Sequence, residues 1–305
     1  MEDATAGDPI SGLKWSHKSL RKIQQRLPRC YRVSLPTLSR LLRRRSYSLR
    51  VNSKRCEGKQ SPGRNQQFGY IERCRRRFEK QKCPIISVDS KKKELVGNFR
   101  NAGRAWRRRV RGVNVYDFPS EADGKGLPYG IYEITHNEGF VVVGSSHDTP
   151  TFAVASIRCW WLARGRKLFP RKKHLLIQAD CGGSNGNRCW LWKVGLQAFA
   201  DEFCLTLIVT HYPSGASKWN RIEHRLFCLI SSNWAGIPLD SFETILKHIR
   251  TTRSTTGLRC WARLDHREYP TQIKASPEEI AHLRIQYHKT FPQWNYTIYP
   301  HRKRR

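Results

Sequence analysis

Acidic residues are scarce in this chain. Its 305 residues hold 24 Asp and Glu against 57 Lys and Arg, a formal net charge of +33. With so little negative charge the natural partner is a polyanion, because each phosphate that is neutralised releases condensed counterions. Charge alone leaves DNA, RNA and anionic lipid open. Long apolar runs are also missing. No stretch approaches the length of a membrane span, and the polar start Met1-Glu2-Asp3-Ala4 is unlike a signal peptide. A cytoplasmic protein is the expectation, with no membrane partner. The ten cysteines, Cys30, Cys56, Cys74, Cys83, Cys159, Cys181, Cys189, Cys204, Cys228 and Cys260, include no C-x-x-C pair and accompany no His pair at finger spacing. That excludes a zinc finger and a disulfide framework. Reduced thiols are expected, with Cys159, Cys204 and Cys228 as small core hydrophobes in apolar segments. Gly182-Gly183-Ser184-Asn185-Gly186 lacks the Lys and the spacing of a nucleotide P-loop, which argues against ATP. As a flexible loop, it retains backbone N–H groups able to approach a phosphate.

Scarcity makes the placement of the remaining acids informative. Asp89 ends the run Pro84-Ile85-Ile86-Ser87-Val88, and Asp180 ends His174-Leu175-Leu176-Ile177-Gln178-Ala179. Both are short apolar stretches that read as buried strands, so each carboxylate is expected at a strand's C-terminal edge. Glu223 lies where Ile222, Leu226, Leu229 and Ile230 follow helical spacing, with Ser217 as the expected N-cap. Carboxylates delivered by two strands and a helix suit Mg²⁺, which takes octahedral oxygen ligands from a few acids, water and substrate phosphate. Two such ions roughly 3.5–4 Å apart can activate an attacking oxygen and stabilise a leaving one at phosphorus. Three unrelated acids are the competing reading, since a strand-end Asp is also a common turn former. Spacing alone leaves both open.

Longer motifs surround these acids. In order, Ile86-Ser87-Val88-Asp89-Ser90-Lys91-Lys92-Lys93-Glu94-Leu95-Val96-Gly97-Asn98, Ala179-Asp180-Cys181-Gly182-Gly183-Ser184-Asn185-Gly186 and Ser217-Lys218-Trp219-Asn220-Arg221-Ile222-Glu223-His224-Arg225-Leu226-Phe227 resemble the Rhodopirellula-type insertion-sequence transposases, of the superfamily with an Asp-Asp-Glu triad. Trp294-Asn295-Tyr296-Thr297-Ile298 is similar too, and the resemblance runs from about residue 13 to residue 300. The stretch from Tyr212-Pro213 to Glu223 also resembles the proline-bearing strand-to-helix approach of mariner-like enzymes. The resemblance implies that Asp89, Asp180 and Glu223 are catalytic and hold two ions, Mg²⁺ or Mn²⁺. It implies that activated water cuts DNA at a transposon end, and that the freed 3′-hydroxyl attacks target DNA. Double-stranded DNA, a homodimer and a place on the nucleoid are implied as partners and location. Cys181 stands where the family usually has glycine, and is expected to crowd the site or take a soft metal. Family members generally carry a further DNA-binding region ahead of residue 13, so an N-terminally shortened copy is expected. A catalytically silent DNA-binding relic and a ribonuclease H-like nuclease remain as alternative readings.

Five zones are expected along the chain. Residues 1–12 form a disordered start. In 13–47, Leu20, Ile23 and Leu27 predict a helix behind a Ser16 cap, and 33–45 predicts a capped helix with Leu38, Leu41 and Leu42 inward. This pair reads as a helix-turn-helix in which Thr37, Ser39, Arg40, Arg43 and Arg44 face DNA; a solvated basic hairpin is the alternative. Residues 48–82 read as a basic linker and helix with Phe68, Ile71 and Phe78 as apolar contacts, 83–235 as the catalytic domain, and 236–305 as a helical extension with a basic tail. The catalytic zone predicts a strand, a long insertion, a hairpin at 130–135 and 139–144, a helix at 152–162, the Asp180 strand, a helix at 188–203, a strand at 205–210 and the Glu223 helix. This α/β order resembles the ribonuclease H-like fold, a mixed five-stranded sheet with flanking helices whose first and fourth strands are neighbours. Lys91, Lys92 and Lys93, and Arg104, Arg107, Arg108, Arg109 and Arg111 around Trp106, are candidates to clamp DNA by phosphate pairing and stacking; a solvated loop is the alternative. His147-Asp148 ends the third strand and His224 adjoins Glu223; both are candidates to orient water or phosphate, with a structural histidine as the commoner reading.

Overall fold

The computed structural model describes residues 5–7, 14–16, 18–49 and 62–301. Two compact units are present, Met1–Glu57 and Gly58–Arg305. In the first, strands β1 (Thr5–Gly7) and β2 (Lys14–Ser16) pair antiparallel. Helix α1 (Leu20–Arg26) begins on Ser19, whose Oγ accepts from the Lys22 N–H, and α2 (Leu35–Arg44) begins on Ser34, which caps the Thr37 N–H. Each serine oxygen satisfies a first-turn donor that the helix leaves orphaned. Ser16, expected as the first cap, is drawn into β2, and α1 stops before Leu27. A 3₁₀ turn, Arg29–Tyr31, joins the two helices. Ile23 and Leu38 are buried, whereas Leu41, expected inward, is exposed. Two short helices cover only one narrow stripe, and Leu38 occupies it. Of the expected disordered start, 5–7 forms β1; the rest of it, the linker residues 50–61 with Cys56, and the tail 302–305 lie outside the described residues.

The second unit opens with α3 (Arg64–Lys80), followed by β3 (Ile85–Ser90), β4 (Glu94–Val96), β5 (Gly124–Glu133), β6 (Glu138–Gly144) and α4 (Pro150–Trp160). A π-helical turn, Trp161–Gly165, carries α4 into α5 (Arg166–Leu168); β7 (His174–Ala179), α6 (Trp190–Phe203) and β8 (Thr206–His211) come next. After the π-helical turn Glu223–Phe227 come α7 (Cys228–Asn233), α8 (Phe242–Thr251), β9 (Arg259–Asp265), α9 (Pro277–Ala281), β10 (Ile285–Tyr287) and β11 (Asn295–Ile298). The strands form one sheet in the order β10-β11-β8-β7-β3-β5-β6-β9, with β4 on β5. Its middle, β6-β5-β3-β7-β8, is the ribonuclease H-like arrangement: β5 runs antiparallel to β3 and β6, while β7 and β8 run parallel to β3. The sheet is wider than five strands. Residues 236–301, expected as helical, hold α8 and α9 but also three strands; β9 extends the sheet beyond β6, and β11 and β10 extend it beyond β8. β10 and β11, of three and four residues, are too short for alternation to identify them in advance.

Side chains alternate across each strand and build three layers. Ile86, Val88, Leu175, Ile177, Val209 and Tyr296 pack under α4 and α6, with Trp160, Trp192 and Phe199 as the largest side chains there. On the opposite face Ile85, Leu176 and Ile208 meet Cys74 and Phe78 of α3, and Val141, Val143 and Ala262 meet Leu226, Phe227, Ile230 and Ile245. Phe68, half-buried, rests on Tyr212 and Trp219. The nine described cysteines are free. Cys204 and Cys228, expected in the core, are exposed, because Cys204 ends α6 in a left-handed turn and Cys228 lies on the outer face of its helix; Cys74, Cys83 and Cys260 are the buried ones. Among the described residues no helix is long and apolar enough to cross a membrane.

The helix that carries Glu223 lies very close to the sheet, and glycine permits it. A Cβ on Gly130 would come within 2.5 Å of the Phe227 ring and 2.8 Å of Ile222, and one on Gly139 within 2.4 Å of Leu226. Gly130→Ala is expected to destabilise the protein by about 1–3 kcal/mol through overpacking. Denaturant unfolding reads this, and an unchanged midpoint would show that the helix has room to retreat.

Candidate active site

Parallel pairing of β3 with β7 sets the site. Ser87 lies opposite Gln178, so two residues further on Asp89 and Asp180 reach the same level at the carboxyl ends of adjacent strands. By alternation both acids point to the face that carries α3 and the Glu223 helix. A polar row, Ser87, Gln178, Thr210 and Asn295, crosses four strands one step below them. Gln67 of α3 closes part of that row: its amide donates to Asn295 Oδ1 (2.8 Å) and to the His211 carbonyl (2.8 Å), and Asn295 donates back (2.7 Å). Gln178 and Thr210, both buried, have no such partners for their side chains.

Asn220 joins the third acid to the first two. Its side chain accepts from Ser87 Oγ and donates to the Val88 carbonyl (3.1 Å) and to Asp89 Oδ2 (3.4 Å), while the Ile222 N–H donates to Ser87 Oγ (3.0 Å). The helix entry is thus bolted to β3 one turn before Glu223, which opens the π-helical turn. Ser217, expected as the cap, starts a 3₁₀ turn and makes no side-chain cap. Asp89 Oδ1 accepts from the Ser90 N–H (2.8 Å), whereas Asp180 Oδ1 is buried with no hydrogen-bond partner among the described residues. Behind Asp180, buried His211 donates from Nδ1 to the Asp180 carbonyl (2.7 Å); its Nε2 meets the Tyr296 hydroxyl (3.2 Å), which receives the Trp192 indole N–H (3.0 Å). Burial holds the imidazole down to about 4, so it is neutral at physiological pH and its tautomer is set by that carbonyl.

The triad is electrostatically loaded. Burial, then the charge of Asp180 and that of Glu223, push Asp89 well above the carboxylate range. Asp180 is raised by burial, and by Glu223 and Asp148, against a hydrogen bond from the Gly182 N–H. Glu223 is raised by burial and eased by His224 and Lys91. The three acids therefore sit within reach of one another's fields, although among the described residues no three His, Cys, Asp or Glu side chains are closed up as a metal cage. A profile of the Rhodopirellula transposase DDE domain matches residues 1–300. The chain belongs to that family. No curated protein matches it. Solved structures similar to the chain include the Mos1 transposase paired-end complex with left transposon end (14% identity, 81% of this chain and 72% of the other, TM-score 0.45) and the Mos1 mariner paired-end complex with Mn (13%, 75% and 68%, TM-score 0.42). A likeness at that level adds nothing to what strand order and family establish.

The other sequence candidates of this DDE-family chain fall out unevenly. Lys91 is engaged within the fold, paired with Glu94 (2.6 Å) and lying 4.5 Å over the Trp234 ring, whereas Lys92 and Lys93 are exposed. Arg107 donates to the Gly236 carbonyl (2.9 Å), and Arg108 and Trp106 are exposed in the insertion. In the first unit Arg40, Arg43 and Arg44 are exposed, Ser39 is half-buried and Thr37 shares a hydrogen bond with Ser34. Asp148 accepts from Ser90 Oγ (3.0 Å), His147 is exposed, and His224 bonds the Lys218 carbonyl. The Cys181 thiol donates to the Tyr212 carbonyl (2.9 Å), and burial with the Asp180 charge pushes it up to about 12. In that state the thiol is protonated and engaged by a backbone carbonyl. The glycine loop is anchored rather than flexible: Asn185 accepts from the Tyr129 hydroxyl (2.6 Å), and Ser184 Oγ meets Ser90 Oγ (3.2 Å). Asn220, His211 and Tyr296 had no assigned role in the sequence, although all three lie in or beside its motifs.

These shifts have a measurable sign. Between its ordinary value of 3.8 and about 8, folded Asp89 holds a proton that the unfolded chain has released. The folded state then binds more protons, so stability falls as pH rises through that window. In EDTA, wild-type Tm is expected to fall more steeply from about pH 4 to about pH 8 than that of Asp89→Asn; parallel curves would contradict the burial and repulsion described.

Proposed function

We propose that this chain is the transposase of a bacterial insertion sequence, cutting and joining DNA strands by phosphoryl transfer at Asp89, Asp180 and Glu223. The observation that carries this reading is Asp180 Oδ1, a buried oxygen without a hydrogen-bond partner among the described residues, beside two further carboxylates. Such a group is costly unless a cation shares it. All three side chains offer hard oxygen donors, which fit two Mg²⁺ or Mn²⁺ ions held by Asp89, Asp180 and Glu223. When bound, the ions would supply charge stabilisation at phosphorus and a more acidic water.

The chain's own residues do the positioning. Asn220 orients Asp89 and holds the Glu223 helix on β3, while neutral His211 holds the backbone of Asp180. Water attacks the phosphodiester at a transposon end and releases a 3′-hydroxyl, which then attacks target DNA; no covalent protein–DNA bond is needed. Lys92, Lys93, Arg107 and Arg108 are the catalytic unit's phosphate contacts, with Lys91 tuning Glu223 instead. Thr37, Ser39, Arg40, Arg43 and Arg44 of α2 read duplex DNA. Joining two ends calls for a homodimer, working on the nucleoid.

Mg²⁺-dependent nicking of a labelled duplex that carries the element's ends tests the site. Wild type is expected to cut, and Asp180→Asn to bind equally well and leave the duplex intact. A folded wild type that binds without cutting would instead favour a silent DNA-binding relic. For α2, the double variant Arg40→Ala with Arg43→Ala should lower the slope of log affinity against log salt by about two, if each arginine meets one phosphate; an unchanged slope would remove α2 from the DNA contact.

A further inference from the structure

Against the loop that follows Asp180 lies a cleft of about 1040 Å³ that the chemistry above does not use. It is lined by Cys181 and Gly183, just after Asp180, by Arg188, which precedes α6, by Trp190 and Lys193 in the opening turns of α6, and by Tyr287 and Trp294. Among the described residues no Asp or Glu lines it. Lys193 is only 6% exposed, and among the described residues its ammonium has no hydrogen bond and no ion pair. It is held instead over aromatic rings, 4.4 Å from Trp190, 5.4 Å from Tyr296 and 5.5 Å from Tyr287. Two things oppose a cation in that place. Burial disfavours its charge and lowers its pKa. It also sits in the opening turns of α6, the positive end of the helix dipole, where the first turn has no acid and the N-cap Cys189 supplies no side-chain cap. A bound anion would answer both, taking the unpaired ammonium and the open helix N–H groups together. Trp190 and Tyr287, 41% and 42% exposed, offer ring faces beside that position.

We propose that this cleft binds one unpaired nucleotide of a DNA strand next to the reacting phosphate, its phosphate on Lys193, Arg188 and the α6 N-terminus and its base against Trp190 or Tyr287. The nucleotide must be unpaired, because a base inside a duplex cannot offer its face to a ring. The choice of DNA and the place next to a reacting phosphate rest on the transposase reading; the anion and ring chemistry stand without it.

The test titrates the full chain, in EDTA, with a fluorescent single strand of about 12 thymidines and with a blunt duplex of similar length. Lys193→Met and Trp190→Ala are expected to weaken single-strand binding about tenfold each while leaving duplex affinity and cooperative thermal unfolding unchanged. Asp180→Asn should bind the single strand as wild type does. Wild-type single-strand affinity in both variants overturns the proposal, as does a parallel loss for single strand and duplex in variants that unfold like wild type. A protein that shows the expected pattern but never nicks DNA keeps the cleft and loses the catalytic reading. One that nicks DNA yet binds single strands without regard to Lys193 and Trp190 loses the cleft alone.

Discussion

Parallel pairing of β3 with β7 forces two carboxylates from distant parts of the chain to the same level at the edge of a buried sheet. That arrangement is unfavourable by itself: burial raises both acids, the charge of Asp180 adds to the rise at Asp89, and that of Glu223 adds to both. The rest of the second unit can be read as support for that juxtaposition. Strand hydrogen bonds and the apolar face under α4 and α6 hold β3 and β7 in register. The opposite face changes from apolar to polar as it nears the acids, from Ile85, Leu176 and Ile208 to Ser87, Gln178 and Thr210.

Support for the acids is polar and comes from outside the two strands. Asn220 ties the Glu223 helix to β3, and the Trp192, Tyr296 and His211 chain ties α6 and β11 to the backbone of Asp180. β11 is therefore part of the site's foundation, although it lies at the far end of the chain. This explains why the motif Trp294-Asn295-Tyr296-Thr297-Ile298 belongs with the triad: Asn295 pairs with Gln67 on one face, and Tyr296 supports His211 on the other. Glycines 130 and 139 complete the arrangement by letting the Glu223 helix rest against the sheet.

Much of this was legible in order but not in partnership. The middle strands, the helices between them and the strand-end positions of Asp89 and Asp180 follow from apolar runs whose period the local backbone dictates. Within residues 236–301, β10 and β11 escape the sequence because three- and four-residue strands carry too few side chains for a period. Lys91 illustrates a second failure. It belongs to a basic run, yet Glu94 and Trp234 take it inward while Lys92 and Lys93 remain exposed. Cys204 and Cys228 illustrate a third: an apolar neighbourhood in sequence does not say which side of a helix, or which end of one, a side chain occupies.

By itself the amino-acid sequence determined the elements, the placing of scarce acids at their ends, the cationic excess that demands an anionic partner, and the family motifs. Those are local or summed properties, set by backbone periodicity and net charge. Tertiary structure alone decided which polar groups meet. Asn220 on Asp89, His211 behind Asp180, and Lys193 held over aromatic rings in a cleft with no acid among the described residues each depend on contacts between segments that pair only once the sheet has formed. Hydrogen bonds and buried charges act over a few ångströms, and such distances exist only in the folded chain.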